Sequence, residues 1–196
     1  MVNKDYTTGV HEHLSPYIKE GYVVNESRFT QIRAWNFLLI QLHDAKLSLE
    51  LAKQSEKYEE KGSMLEIVLQ QSLFRNSIIN YAKCFSSVGK GRISLDKKSV
   101  YKGNPELLST HQEVMNIRNK FSAHNDDAGI DIAHILTREE ENRIILKHLY
   151  SIANPIGDYE QYMRLYEYCE IHVIKSLNRA LDNIQRSIKK PIETRE

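Results

Sequence analysis

Arg118 and Asn119, followed five residues later by His124, form the one group in this 196-residue chain whose types and spacing point to chemistry. Arg118 falls near the centre of an apolar helical arc, between Val114 and Phe121, so it is not a solvated surface arginine. A guanidinium in that setting must find an anion. One answer is a carboxylate such as Glu113, which would hold helix register; the other is an anionic ligand. His124 lies six positions on, about 120 degrees away around an ideal helix. The two side chains converge only if the helix loosens at Ala123-His124, if Arg118 reaches round, or if a second subunit completes the site. A histidine at a helix C-terminus is also favoured by the macrodipole alone.

Other candidates surround this group. Arg75 and Gln71 lie inside the apolar arc of an earlier helix, where Arg75 needs a partner, and His111 shares the face of Arg118 as a core or cleft residue. Six cations between Lys83 and Lys102 face the single anion Asp96. Of these, Lys90, Arg92, Lys97 and Lys98 are candidates to follow a phosphate backbone, against the alternative of a solvated loop. The segment Gly89-Lys90-Gly91 lacks the spacing of a P-loop. His11-Glu12-His13 has no third ligand, and Asp131-x-x-His134 falls short of the paired Glu-x-x-His motifs of a di-iron bundle. No metal and no cofactor are expected. Tyr159, Tyr162, Tyr166 and Tyr168, at helical spacing, are core residues or base-stacking platforms.

The elements that must position these residues are mainly helical. Only 8 Gly and 4 Pro occur, and the chain is 41% hydrophobic and 27% charged, as in one globular domain. Long stretches free of both Gly and Pro favour helices. Residues 1–24 lack a clear period and read as an N-terminal arm; residues 25–196 read as a single helical domain. Phe29, Ile32, Trp35, Leu39, Leu42 and Leu49 predict a first helix ending at Gly62. Ser63-Met64-Leu65-Glu66 is a capping box opening a second helix to about Ser86. That helix is apolar nearly all round, with Glu66, Gln70, Ser77 and Lys83 as a narrow polar edge, and should be the most buried. Asn104 and Pro105 cap and open a third, reaching about His124, with Leu107, Leu108, Val114, Met115, Ile117 and Phe121 on its apolar arc. Residues 130–152 read as a β-hairpin turning within 137–142 or as a short helix, the hairpin being preferred. Asp158 can cap a last helix that runs to about Lys190, with a core stripe of Ile174, Leu177, Leu181, Ile184 and Ile188. The expected fold is all-α, an up-and-down four-helix bundle with a small hairpin inserted before the last helix.

The motif Ile-Arg-Asn-Lys-Phe-Ser-Ala-His-Asn-Asp at 117–126 resembles the signature of the HEPN superfamily (higher eukaryotes and prokaryotes nucleotide-binding). It is most similar to prokaryotic members linked to phage defence and toxin–antitoxin systems. Ser-Leu-Phe-Arg-Asn-Ser-Ile-Ile-Asn-Tyr-Ala-Lys at 72–83 also resembles the helix preceding that motif, and the likeness covers about 64–185. It implies a metal-independent endoribonuclease working as a homodimer, with Arg and His of both copies in one cleft. His124 would serve as general base or acid toward the 2′-hydroxyl or the leaving oxygen. Arg118 would stabilise the developing phosphoryl charge, and Asn119 would orient the histidine or the phosphate. RNA is the implied partner, together with an antitoxin protein. The resemblance admits, as the second reading, a catalytically silent bundle that binds a nucleotide, RNA or a partner protein.

The net charge is only +1, so any contact with nucleic acid must be local. No apolar run approaches the length of a membrane span and the N-terminus has no signal-peptide pattern, so a cytoplasmic protein is expected. Cys84 and Cys169 form no metal or disulfide pattern and read as buried small hydrophobes.

Overall fold

The computed structural model describes residues 13–23, 26–55, 64–86, 89, 92–122, 131–152 and 158–193. It is mostly helical. Four long helices dominate: α1 (Thr30–Gln54), α2 (Met64–Lys83), α3 (Pro105–Ser122) and α4 (Tyr159–Ile188). A two-stranded hairpin, β1 (Asp131–Glu140) and β2 (Arg143–Ile152), lies between α3 and α4. Within the expected arm, residues 13–19 are helical.

α1 packs against α2 and α4, and α3 against the same two helices. Directions follow from side-chain pairs. Asn76 donates to Ser48 Oγ (2.7 Å) while Cys84, further along α2, approaches the carbonyl of the earlier Leu38, so α1 and α2 are antiparallel. Lys46–Glu170 and Lys53–Glu160 ion pairs set α1 antiparallel to α4. The core between them holds Leu38, Leu42, Leu49, Ile78, Tyr81, Leu107, Val114, Leu165, Tyr166 and Val173.

Helix termini follow local chemistry. Asn104 Oδ1 accepts from the Leu107 amide (3.2 Å), the expected cap for α3. The Asp96 carboxylate accepts from the amides of Lys98 and Ser99 and so caps the single turn Lys97–Val100. Asp158, by contrast, makes no side-chain cap for α4. That helix ends at Ile188, with Lys189 in the left-handed conformation at φ 54°. α1 stops at Gln54 with Ser55 as its C-cap, short of the expected Gly62; Gly62 itself and Ser63, expected to cap the second helix, lie outside the described residues.

The structure corrects three sequence expectations. On α1 the buried face runs through Leu38, Leu42, Ala45 and Leu49, leaving Trp35 and Leu39 at its margin. On α2, Ser77 is fully buried and donates to Tyr166 Oη (3.2 Å), while Leu65, Val68 and Ile79 face outward. A hydroxyl with a core partner is cheap to bury, and the side of α2 turned away from α1, α3 and α4 is open whatever its composition. On α4 the core stripe is Tyr162, Leu165, Tyr166, Cys169 and Val173; Ile174 is exposed, and Leu177, Leu181, Ile184 and Ile188 are only half-buried. Helical phase explains Ile174: Val173 just before it and Ala180 beyond it are buried, so Ile174 stands about 100° off the buried side of α4. Further on, the 30-residue α4 is longer than the 20 residues of α2 and the 18 of α3.

The hairpin runs in unbroken register from Asp131↔Ile152 to Glu140↔Arg143, so its turn is Glu141-Asn142, tighter than 137–142. Among the described residues no helix is long and apolar enough to cross a membrane. Cys84 and Cys169 are buried and free, and burial raises both thiols, that of Cys84 to about 12.

Candidate functional site

The sequence places Arg118 and Asn119 in the last turn and a half of α3, and the structure keeps them adjacent. Arg118 is half-buried and its Nη1 donates to Asn119 Oδ1 at 3.1 Å. Glu113, the carboxylate considered for Arg118, instead accepts from Tyr162 Oη at 2.7 Å. His124 lies outside the described residues, which stop on this helix at Ser122.

Arg75 comes to the same end of α3 from the neighbouring helix. Its guanidinium lies over the Phe121 ring at 5.3 Å, three residues beyond Arg118, and Phe74 meets that ring edge-on at 6.2 Å. Arg75 thus braces the motif-bearing turn through cation–π contact, worth about 0.5–2 kcal/mol depending on solvation.

Asn119 also lines a cleft of about 370 Å³ with His111, Gln112 and Met115 of α3, Phe85 from the end of α2, and Leu95, Asp96 and Lys97 from the loop. The cleft therefore gathers Asn119, His111 and Lys97, three residues singled out from sequence. Lys97 Nζ donates to Gln112 Oε1 at 3.3 Å, which holds a cation at the rim. Arg92 goes elsewhere, stacking over Phe37 of α1 at 4.4 Å. Lys98 is exposed and its backbone amide serves the Asp96 cap; Lys90 lies outside the described residues.

His111 is both core and cleft residue. It is 2% exposed, yet its ring edge forms part of the cleft wall. Its Nδ1 pairs with Tyr81 Oη at 2.7 Å, and Tyr81 Oη pairs with Tyr101 Oη at 2.6 Å. Phe85 packs on the imidazole at 4.4 Å between centroids and Tyr166 stacks on Tyr81 at 4.8 Å. Burial lowers the His111 pKa to about 4, helped by the nearby Lys97 cation, and burial raises the Tyr81 and Tyr101 phenols. The triad is neutral at physiological pH. It fixes the ring and keeps the imidazole at the cleft wall uncharged.

Sequence reasoning passed over Tyr81 and Tyr101. The available signal was a tyrosine inside the apolar arc of a buried helix, since a buried phenol demands a polar partner. What no local pattern shows is that the partner comes from two other segments.

A pH dependence follows. The unfolded His111 titrates near the ordinary value of about 6.5 and the folded one near 4, so between these values the unfolded chain binds a proton the native state refuses. Stability contributed above pH 6.5 is therefore lost as pH falls toward 4. The melting temperature should drop between pH 7 and pH 5, and His111→Gln should show a smaller drop; equal losses in both proteins would show that His111 is not the group responsible.

Among the described residues no group of three His, Cys, Asp or Glu side chains is placed to hold a metal. No family model, curated protein or solved structure matches the chain.

Proposed function

We propose that the chain is a metal-independent endoribonuclease of HEPN type, its four long helices forming an up-and-down bundle. In this reading it acts as a homodimer in phage defence or a toxin–antitoxin system, where an antitoxin protein holds it in check. The observation that carries the proposal is the pairing of Arg118 with Asn119 at the end of α3, with Asn119 on the wall of a cleft that also holds His111 and Lys97.

Cleavage proceeds by attack of a ribose 2′-oxygen on the adjacent phosphorus, with loss of the 5′-oxygen. His124 accepts the 2′-hydroxyl proton or delivers one to the leaving oxygen, the two roles being divided between the two copies. Arg118 offers its planar fork to the non-bridging oxygens as negative charge builds. Asn119 holds the Arg118 guanidinium, and Lys97 supplies a cation for a neighbouring phosphate. The requirement for a 2′-hydroxyl confines the reaction to RNA.

The test is product chemistry. Purified protein incubated with mixed RNA in excess chelator should give fragments ending in 2′,3′-cyclic phosphate and 5′-hydroxyl. RNA bound but uncut would replace the enzyme by a silent binding bundle. Cleavage that stops on chelation would overturn the metal-independent route.

A further inference from the structure

The β1–β2 hairpin carries an apolar face that no other described residue covers. Antiparallel pairing puts Ile135, Thr137 and Glu139 of β1 on one face with His148, Leu146 and Ile144 of β2 as their respective partners. Ile135 is 63% exposed, Ile144 65% and Leu146 58%. A two-stranded hairpin is at best marginally stable alone in water and gains independent stability when its apolar face is packed. Three large aliphatic side chains gathered on one such face are a contact surface.

The pattern on that face selects the occupant. Reading from the turn, it runs from Glu139 beside Ile144, through Thr137 beside Leu146, to Ile135 beside His148: an acid at one end, an imidazole at the other, and one aliphatic side chain in each pair. A two-fold axis through the Thr137–Leu146 pair reverses the strands of one copy over the other. Leu146 then meets Leu146 of the second copy, with Ile135 and Ile144 of both flanking it. The same operation brings Glu139 of each copy to the end where His148 of the other lies, so carboxylate and imidazole pair twice. This self-complementarity is what an isologous interface requires. The opposite face carries one large exposed aliphatic among the described side chains, Leu136 at 51%, set beside Lys147, and its acid is taken: Glu140 is bonded to Arg138 (2.7 Å) and Arg143 (2.6 Å). Across Asp131–Ile152 three Lys and Arg face four Asp and Glu, which disfavours nucleic acid as the ligand.

We propose that the hairpin is a dimerisation arm, packing its Ile135–Ile144–Leu146 face against the same face of a second copy of this chain. The contact rests on the homodimer of the proposed reading and names the surface that forms it; a Leu146→Lys protein that stays dimeric removes this surface and leaves the homodimer standing. Sedimentation of the full chain should show a dimer, and Leu146→Lys, at a position exposed in the single chain, should sediment as a monomer with unchanged far-ultraviolet circular dichroism. Because Cys84 and Cys169 are buried, a new surface cysteine is the reactive one. Leu146→Cys should be joined to its twin by a short bismaleimide, whereas Lys147→Cys, one residue along and on the opposite face, should not.

A monomeric wild type, including one that recruits a different protein, overturns the proposal. So does a Leu146→Lys protein that remains dimeric, the result expected if helices alone hold the copies together. Sedimentation and cross-linking decide the matter whether or not either species cleaves RNA.

Discussion

Arg118→Ala and His124→Ala are each expected to abolish RNA cleavage in practice, leaving helical circular dichroism unaltered. Removing a donor aimed at developing phosphoryl charge costs about 10²–10³ in rate, and removing a positioned acid or base about 10²–10⁴. Because the two act on one transition state, the double variant should be little worse than the poorer single one. The fold should tolerate the arginine change: Arg118 is half-buried in the last turns of α3, and its partner Asn119 is exposed. Arg118→Lys is the more discriminating variant. It keeps the charge and loses the planar fork, so it should remain strongly impaired if two phosphoryl oxygens are engaged. Full activity of both alanine variants, measured as initial rates of RNA fragmentation, would end the ribonuclease reading.

Tyr81→Ala is expected to destabilise the protein by about 3–5 kcal/mol, as for other large aromatic truncations in a packed core. Tyr81 is completely buried, stacked on Tyr166 and bonded to both Tyr101 and His111. Two costs add: the cavity, and the loss of the hydroxyl that bonds His111 Nδ1 and Tyr101 Oη. Tyr81→Phe separates them. It retains the ring and loses the hydroxyl, and should cost about 1–3 kcal/mol, the penalty for leaving buried polar groups unsatisfied. Urea unfolding followed by circular dichroism measures both, as a lower midpoint at unchanged slope. A neutral Tyr81→Phe would mean that the tyrosine–histidine triad contributes nothing to stability.

Much of the helical architecture was readable locally. Asn104-Pro105 opens α3 because a side-chain oxygen can satisfy a free amide and proline needs none, and both facts depend only on neighbouring residues. Leu107, Val114 and Phe121 recur with the helical period, which sufficed to put Arg118 near the buried side. Alternating aliphatics in 130–152 favoured a hairpin over a short helix without deciding it, and its two-residue turn depends on register over all ten pairs. Local reading failed where burial depends on what stands opposite. Ser77 looked like a solvent edge and is fully buried against Tyr166; Ile174 looked like core and is exposed because the buried side of α4 runs through Cys169, Val173 and Ala180, and Ile174 stands off it.

The candidate site divides along the same line. The amino-acid string was enough for the Arg118–Asn119 pair, since consecutive residues in a helix stay together in any fold. It was enough, too, for the excess of cations ahead of α3. Packing of the helices was needed to send Lys97 to the cleft and Arg92 to Phe37, and to set Arg75 against Phe121. Packing also joined Tyr81, Tyr101 and His111, from α2, a loop and α3, into one neutral hydrogen-bonded wall. The difference is one of range. Capping, helical period and strand alternation act over a few residues and leave a signature in the string, whereas the partner of a buried polar group is chosen by which helices pack, and that is settled by the whole core at once.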